Sequence, residues 1–312
     1  MRVAVSGAGG RLGRALVGAL ADAPFTGLAG PIGWTRADYD LDDLAAAPRL
    51  IARDRPEVVV HAAAWTDVDG CARDPERAAI RNGDATGALA RACVAAGVDL
   101  VVVSTNEVFD GTRTDERGYR PDDPAAPANP YGASKLAGEL AARQAFAQQS
   151  TGGPTLAIVR TAWLYGPPGG DFPDKIIAAA VQARSAGESL RVVGDEFGSP
   201  TSAADLAEAI VELVGSGEIG GTFHHVDVGA VSRATWAREV LRLVGIAVPI
   251  EEVPASTWIR ASSPPRWGVL ESSPLPSGEP MRSWTEALAD HLPWLRRSAA
   301  SLEAAAAAGR AT

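Results

Sequence analysis

The sequence has few of the residues that build disulfide-rich or metal-bound proteins. Its 312 residues include two cysteines and four histidines. Two thiols, Cys71 and Cys93, do not make a disulfide framework, and their spacing does not match a zinc site. His224 and His225 do not share one ion easily, because adjacent strand residues point to opposite faces. We therefore expect reduced thiols and no metal site.

Excess positive charge and long apolar runs are also missing. The chain carries 29 Lys and Arg against 38 Asp and Glu, a net charge of -9. Such an acidic surface repels phosphate backbones, so we expect no nucleic-acid partner, although a few local donors can still bind a diphosphate. Since no apolar run reaches about 18 residues and no signal peptide precedes the first strand-like run, we expect a cytoplasmic protein without membrane contact.

Short apolar runs alternate with helical stretches through the first 165 residues. The runs are apolar on both faces, which is typical of a parallel sheet covered by helices. Strands are predicted at residues 3–6, 32–35, 58–61, 100–104 and 156–160, and helices at 11–21, 41–53, 75–96 and 130–148. Pro48 should shorten the second helix, and the acidic run 38–43 is interpreted as its solvated start. The alternation predicts an α/β fold with a Rossmann-type, doubly wound parallel sheet.

The pattern loosens after residue 165. We assign residues 1–165 to the Rossmann domain, to which later segments near 190–228 return, and residues 166–297 mainly to a smaller C-terminal substrate-binding lobe. Residues 166–173 are predicted to be a loop, because they are rich in glycine and proline. Residues 298–312 form an alanine-rich tail, either a frayed helix or disordered.

A glycine-rich turn directly follows the first predicted strand. Gly7, Gly10 and Gly13 have the spacing that allows a tight turn, close approach of a pyrophosphate to the backbone, and close packing of helix on strand. The start of the next helix then offers free N–H donors to an anion. The pattern lies between a strand and a helix, so it predicts a dinucleotide cofactor.

The residues after the second strand bear on the choice of cofactor. An acid there would bind a ribose hydroxyl, whereas an arginine would favour a 2′-phosphate. Arg36 therefore favours NADPH over NADH, with a solvated surface arginine as the alternative. Asp40 and Leu41 are expected near the adenine.

The candidate catalytic residues lie in two segments. Thr105 stands at the carboxyl end of the fourth predicted strand, where open α/β sheets bind ligands. Asn129 and Pro130 suit the start of a helix, so Tyr131 and Lys135 lie one turn apart on one face. A nearby ammonium would lower the pKa of the phenol, which could then protonate a carbonyl oxygen held by the threonine.

With these residues the chain resembles the extended short-chain dehydrogenases, and within them the dTDP-4-dehydrorhamnose reductase family. The resemblance covers residues 1 to about 294. It depends on His61-Ala-Ala-Ala-Trp-Thr-Asp-Val-Asp69, Ser104-Thr-Asn-Glu-Val-Phe-Asp-Gly111, Tyr131-x-x-x-Lys135, Arg160-Thr-Ala-Trp-Leu-Tyr-Gly166 and Gly198-Ser-Pro-Thr201.

This resemblance implies NAD(P)H-dependent reduction of the 4-keto group of a nucleotide-linked 4-keto-6-deoxy sugar. It implies that Thr105, Tyr131 and Lys135 are catalytic, and that Trp163 and Asn106 lie near the sugar. It also places eight residues against the cofactor: Gly10, Arg11, Leu12, Asp40, Leu41, Ala63, Ala64 and Trp65. A homodimer is a further hypothesis.

The sequence departs from the family at several positions. Asn106-Glu107 stands where relatives carry Asp-Tyr, Gly70 replaces a lysine, and Ala15 replaces a glutamate that binds an interfacial magnesium in some members. The Asn106-Glu107 pair predicts an altered preference among keto sugars. Two alternatives stay open: a nucleotide-sugar epimerase or dehydratase on the same scaffold, and a non-catalytic NAD(P)-binding regulatory subunit.

Overall fold

The fold is described from a computed structural model that covers residues 1–148 and 152–308. Strands and helices alternate in its first half, and are numbered here in chain order. The elements are β1 (Val3–Ser6), α1 (Arg11–Asp22), β2 (Ile32–Trp34), α2 (Ala46–Asp54), β3 (Val58–His61), α3 (Val68–Arg73), α4 (Pro75–Ala78), α5 (Ala85–Ala96), β4 (Asp99–Thr105), α6 (Pro130–Ala147) and β5 (Leu156–Thr161). Single turns of 3-10 helix occur at Pro24–Thr26 and Asn106–Val108.

In the second half of the chain, short strands are interspersed with helices. Its elements are β6 (Leu164–Tyr165), α7 (Phe172–Ala186), β7 (Leu190–Val193), β8 (Phe197–Gly198), β9 (Thr201–Ser202), α8 (Ala203–Ser216), β10 (Gly221–His224), β11 (Val231–Ser232), α9 (Arg233–Val244), β12 (Ile250–Val253), α10 (Trp284–Asp290) and α11 (Leu292–Ala308). A 3-10 turn at Ala255–Thr257 precedes the long irregular stretch before α10.

A six-stranded parallel sheet in the order β10-β5-β4-β3-β1-β2 forms the centre of the molecule. In its middle, Val5 pairs with Val60, and Val59 pairs with Leu100. These side chains are buried, which explains why the strand sequences are apolar on both faces. The predicted α/β class and parallel sheet are confirmed. Because the strands are parallel, the carboxyl ends of β1, β3 and β4 meet at one edge.

The second helix differs from its prediction. It begins at Ala46, so the acidic run 38–43 is not a helix start. Instead, Asp38 accepts hydrogen bonds from the N–H and hydroxyl of Thr35, and Asp40 accepts one from the N–H of Asp42. Short acidic side chains stabilise turns in this way in competition with a helix. Pro48 lies in the first turn, where a missing N–H costs little, and the helix is shortened as expected.

The helical stretch 75–96 is interrupted by a π-helical segment, Ala79–Asp84, which links α4 to α5. A π-turn adds one residue to the helical repeat and shifts the side chains that follow, and such turns are frequent at functional sites. The hydrophobic pattern of the sequence did not reveal it.

Two hydrophobic clusters fix the positions of helices in the second half of the chain. Helix α8 packs on α1 under the large sheet through Leu206, Ile210 and Leu213, and β10 extends the sheet beside β5. A separate cluster around the buried Trp236 joins α7, α9 and α11.

Helix α11 includes residues 298–308 of the alanine-rich segment, and residues 309–312 lie outside the described part of the chain. No helix in the described ranges combines the length and apolarity that a membrane crossing needs.

Candidate active site

The glycine turn brings β1 and α1 into close contact. Gly7 has a φ of 72°, a left-handed conformation that favours glycine. A β-carbon at Gly13 would lie 2.0 Å from the carbonyl oxygen of Gly7, so a side chain there would push the helix from the turn. Gly10 is the N-cap of α1 and supplies no side-chain cap. The first N–H groups of α1, which have no helical partner, are thus suited to a diphosphate.

A cavity of about 500 Å³ opens between this turn and the ends of β2 and β3. It is lined by Gly7, Gly9, Gly10, Thr35, Arg36, Ala37, Tyr39, Asp40, Leu41, Ala62, Ala63, Ala64, Trp65 and Arg81. The structure therefore gathers the residues expected around the adenosine. It adds Arg81, whose guanidinium is 5.5 Å from the Trp65 ring centre and donates to Asp42.

The π-helical segment fixes the far wall of this cavity. Its Asn82 accepts from the N–H of Trp65 at 2.8 Å and donates to the carbonyl oxygen of Trp65 at 3.0 Å. The same amide donates to the hydroxyl of Ser134 in α6 at 3.0 Å. Asn82 thus ties the loop after β3 to the helix that carries Tyr131.

A second cavity, of about 450 Å³, adjoins the first and shares with it Gly7, Gly10, Ala62 and Ala64. Thr105, Tyr131 and Lys135 all line it, and all three are largely buried. Its other lining residues are Arg11, Leu12, Gly13, Thr66, Val68, Val103, Ser104, Asn106, Glu107, Thr161, Ala162, Trp163 and Leu164. A bound dinucleotide could therefore run from one cavity into the other and present its reactive ring to Tyr131.

Local structure explains the placement of Tyr131. Asn129 is the N-cap of α6, and its side-chain oxygen accepts from the N–H of Gly132 at 2.9 Å. A β-carbon at Gly132 would lie 1.9 Å from the carbonyl oxygen of Glu107. The start of α6 therefore packs directly against the turn that follows Thr105.

Burial controls the electrostatics of the Tyr–Lys pair. Lys135 donates to the carbonyl oxygen of Val103 at 2.8 Å, and burial lowers the pKa of Lys135 to about 8. Burial and the Glu107 carboxylate raise the pKa of Tyr131, while the hydroxyl of Thr105 acts in the opposite direction. The sequence led us to expect a lowered pKa for the phenol. The structure differs chiefly because Tyr131 is buried, and also because it lies near Glu107, an acid that the Tyr-x-x-x-Lys spacing does not reveal.

Trp163 is held in the cavity wall by three contacts. Its φ of 43° is rare for a residue with a side chain. The ring stacks on Trp236 at 5.6 Å, and the guanidinium of Arg233 lies 3.6 Å from its centre. A β-carbon at Gly198 would lie 2.3 Å from the ring, which explains the glycine there.

Arg11 connects the glycine turn to the loop after β6. Its guanidinium donates to the carbonyl oxygens of Gly166 and Gly169 at 2.9 and 2.7 Å, and lies 3.5 Å from the Asp171 carboxylate. The loop predicted at 166–173 is confirmed up to Asp171, the N-cap of α7.

The two departures beside Thr105 have different environments. Asn106 is 5% exposed and donates to the carbonyl oxygen of Gly268 at 3.0 Å, so its amide donor is used within the protein. Glu107 lines the second cavity, and its carboxylate accepts a hydrogen bond from the Asn129 amide at 2.5 Å.

Three residues around the cavities were not predicted from the sequence: Arg81, Asn82 and Arg233. They come from segments without a recognisable motif. Glu107 was singled out in the sequence as a departure from the resembled family, but its contact with Asn129 was not predicted. Within residues 1–148 and 152–308, no group of three or more His, Cys, Asp or Glu side chains is arranged to hold a metal ion.

The fold and this site define a Rossmann-fold, NAD(P)-dependent oxidoreductase of the short-chain dehydrogenase class. Within this class, the chain belongs to the family described as RmlD substrate binding domain, whose family model matches residues 1–296.

The similarity to known proteins covers nearly the whole chain. A dTDP-4-dehydrorhamnose reductase of Mycobacterium tuberculosis is 38% identical over 299 residues, 93% of this chain and 92% of the relative. A dTDP-4-keto-6-deoxy-D-glucose reductase of Streptomyces niveus is 36% identical over 299 residues, with 93% and 96% covered. The crystal structure of dTDP-4-dehydrorhamnose reductase from Bacillus anthracis in complex with NADP superimposes with a TM-score of 0.80 at 30% identity, covering 92% of this chain and 96% of that one.

Proposed function

We propose that this chain reduces the 4-keto group of a nucleotide-linked 4-keto-6-deoxy sugar, with dTDP as the nucleotide. The observation that carries the proposal is the convergence of Thr105, Tyr131 and Lys135 in one cavity that opens into the cavity beside the glycine turn. A non-catalytic subunit would not need this trio.

The chemistry follows from the donors in the cavity. When bound along the glycine turn, NAD(P)H would supply the hydride for the keto carbon. Thr105 and Tyr131 donate hydrogen bonds to the keto oxygen, and Tyr131 passes its proton to that oxygen as the carbon is reduced. Because the pKa of Tyr131 is raised, the phenol stays protonated at neutral pH and is available as the acid. Lys135, held by the Val103 carbonyl, supports the phenolate that remains.

The cofactor would extend from the first cavity into the second, and the sugar would lie in the second cavity beside the reactive ring of the cofactor. The diphosphate of the cofactor suits the glycine turn, and the adenosine suits the cavity lined by Asp40, Leu41 and Trp65. Arg36 and Arg81 line the same cavity and favour NADPH, because a 2′-phosphate needs a cation. Trp163, fixed by its neighbours, lines the cavity in which the sugar would lie. A cytoplasmic location and a homodimer stay predictions.

The proposal is tested by incubating the protein with dTDP-4-dehydrorhamnose or dTDP-4-keto-6-deoxy-D-glucose and either reduced cofactor. Nicotinamide oxidation gives the rate, and mass spectrometry identifies a product two hydrogens heavier. An Arg36→Ala variant should raise the KM for NADPH more than the KM for NADH. If neither sugar is reduced with either cofactor by protein that binds NADP+, the proposal is wrong.

A further inference from the structure

The second cavity, which is lined by Thr105, Tyr131 and Lys135, contains a carboxyl group that keto reduction does not use. Glu107 lies in the 3-10 turn directly after Thr105, and its N–H donates to the hydroxyl of Thr105 at 3.2 Å. Its side chain reaches the N-cap of α6, where Asn129 donates to it at 2.5 Å. Glu107 is thus held between the two elements that present Thr105 and Tyr131, and it lines the same cavity as both.

The contact with Asn129 does not explain why a charged residue stands here. Asn129 also donates to the carbonyl oxygen of Ser263 at 3.2 Å, and its side-chain oxygen caps α6 without help from Glu107. A neutral acceptor would serve the amide equally well. A partly buried carboxylate is costly to desolvate, so its presence in a ligand cavity favours a chemical role.

The surroundings of Glu107 raise its pKa above the ordinary value of a glutamate. Burial raises the pKa of Glu107, the hydrogen bond from Asn129 lowers it, and Arg233 also lowers it, partly offset by Glu196. Glu196 itself lies 3.6 Å from the guanidinium of Arg233 and 3.1 Å from that of Arg260. A raised pKa makes a carboxylate a stronger proton acceptor, and the acid that forms can return the proton.

We propose that Glu107 is a general base that removes the proton from a carbon next to the keto group, so that this site also enolises its substrate. The inference rests on the proposed function, because it requires a keto sugar whose oxygen is held by Thr105 and Tyr131.

The step balances without any co-reactant. The C–H bond breaks and its proton goes to the Glu107 carboxylate. The electron pair forms a carbon–carbon double bond, the carbonyl π bond opens, and the oxygen takes the proton of Tyr131. In the reverse direction, Tyr131 recovers its proton and the Glu107 carboxylic acid protonates the carbon. In D₂O, an acid that has exchanged with solvent returns a deuteron, and nothing is oxidised or reduced.

The test follows carbon-bound deuterium. The protein is incubated in D₂O with NADP+ and dTDP-4-keto-6-deoxy-D-glucose, returned to H₂O so that hydroxyl groups lose their label, and the sugar is measured by mass spectrometry and NMR. We expect deuterium next to the keto carbon, formed about 10²-fold faster with the wild type than with Glu107→Gln. Glutamine keeps an acceptor for Asn129, and NADP+ titration shows whether the variant is folded.

A matched control is Glu271→Gln, which removes a carboxylate from an exposed ion pair with Arg120 and should exchange like the wild type. Reduction with NADPH is measured in parallel for each protein. Reduction without exchange above the enzyme-free rate would overturn this inference alone. Absence of both would overturn the proposed function as well, and equal exchange by the wild type and Glu107→Gln would exclude Glu107 as the base.

Discussion

Replacing Asn106 with aspartate should destabilise the protein, although it restores the residue that relatives carry. The Asn106 amide donates to the carbonyl oxygen of Gly268 and accepts weakly from Thr105, while only 5% of the residue is exposed. A carboxylate cannot donate to that carbonyl, so two buried oxygens would face each other. Leaving a buried acceptor unpaired costs about 1–3 kcal/mol, and more when the new group is charged.

The destabilisation should depend on pH in a definite direction. An aspartic acid at this position can still donate to Gly268 when protonated, so its pKa in the folded state is raised above the unfolded value of about 3.9. The folded variant then binds more protons than the unfolded chain, and its stability falls as pH rises through the raised pKa, by at most about 1.4 kcal/mol per pH unit. Asparagine does not titrate, so the difference between the two proteins should grow with pH.

Urea unfolding of the wild type and Asn106→Asp at pH 5 and pH 8 measures this difference. Gln144→Glu makes the same amide-to-acid change on an exposed position of α6 and should have little effect at either pH. An Asn106→Asp variant as stable as the wild type at pH 8 would show that the bond to Gly268 contributes nothing, and that the amide is free to contact substrate.

Three further predictions concern the cavities. Tyr131→Phe should lower turnover by about 10²–10⁴-fold, because the proton donor is lost, while NADP+ titration stays unchanged; near-normal turnover would refute the assigned role. Gly13→Ala should weaken NADP+ binding and cost about 1–3 kcal/mol, because its β-carbon would lie 2.0 Å from the Gly7 carbonyl oxygen, whereas Gly18→Ala meets no atom within 4 Å and should be neutral or stabilising. Burial lowers the pKa of Lys135 to about 8, so between about pH 8 and 10.4 the unfolded chain binds more protons than the folded protein. The free energy of unfolding of the wild type should therefore rise over this range relative to that of Lys135→Met. Parallel curves of unfolding free energy against pH for the two proteins would contradict this.

Much of the fold could be predicted because its signals are local. The strands of the large sheet are buried on both faces, so their sequences are short apolar runs. Gly10 and Gly13 are required by close contacts with Gly7 and Ala8 in the same turn. The spacing of Tyr131 and Lys135 follows from the pitch of one helix. The predicted start of the second helix was wrong because acidic side chains bond to their own turns. The domain boundaries and the roles of the site residues stay predictions.

The sequence by itself determined the strands of the sheet and the glycine turn between strand and helix, because these depend mainly on residues close together in the chain. It also predicted Thr105, Tyr131 and Lys135 as a catalytic trio. Only the tertiary structure decided the environment of that trio. The bond from Asn106 to Gly268 spans 162 residues, and the Trp163 ring is fixed by Gly198, Arg233 and Trp236 from other elements. Glu107 became a partly buried acid near Tyr131 only when α6 packed on the turn after β4. Burial and charge are properties of such distant contacts, so no local pattern could have revealed them.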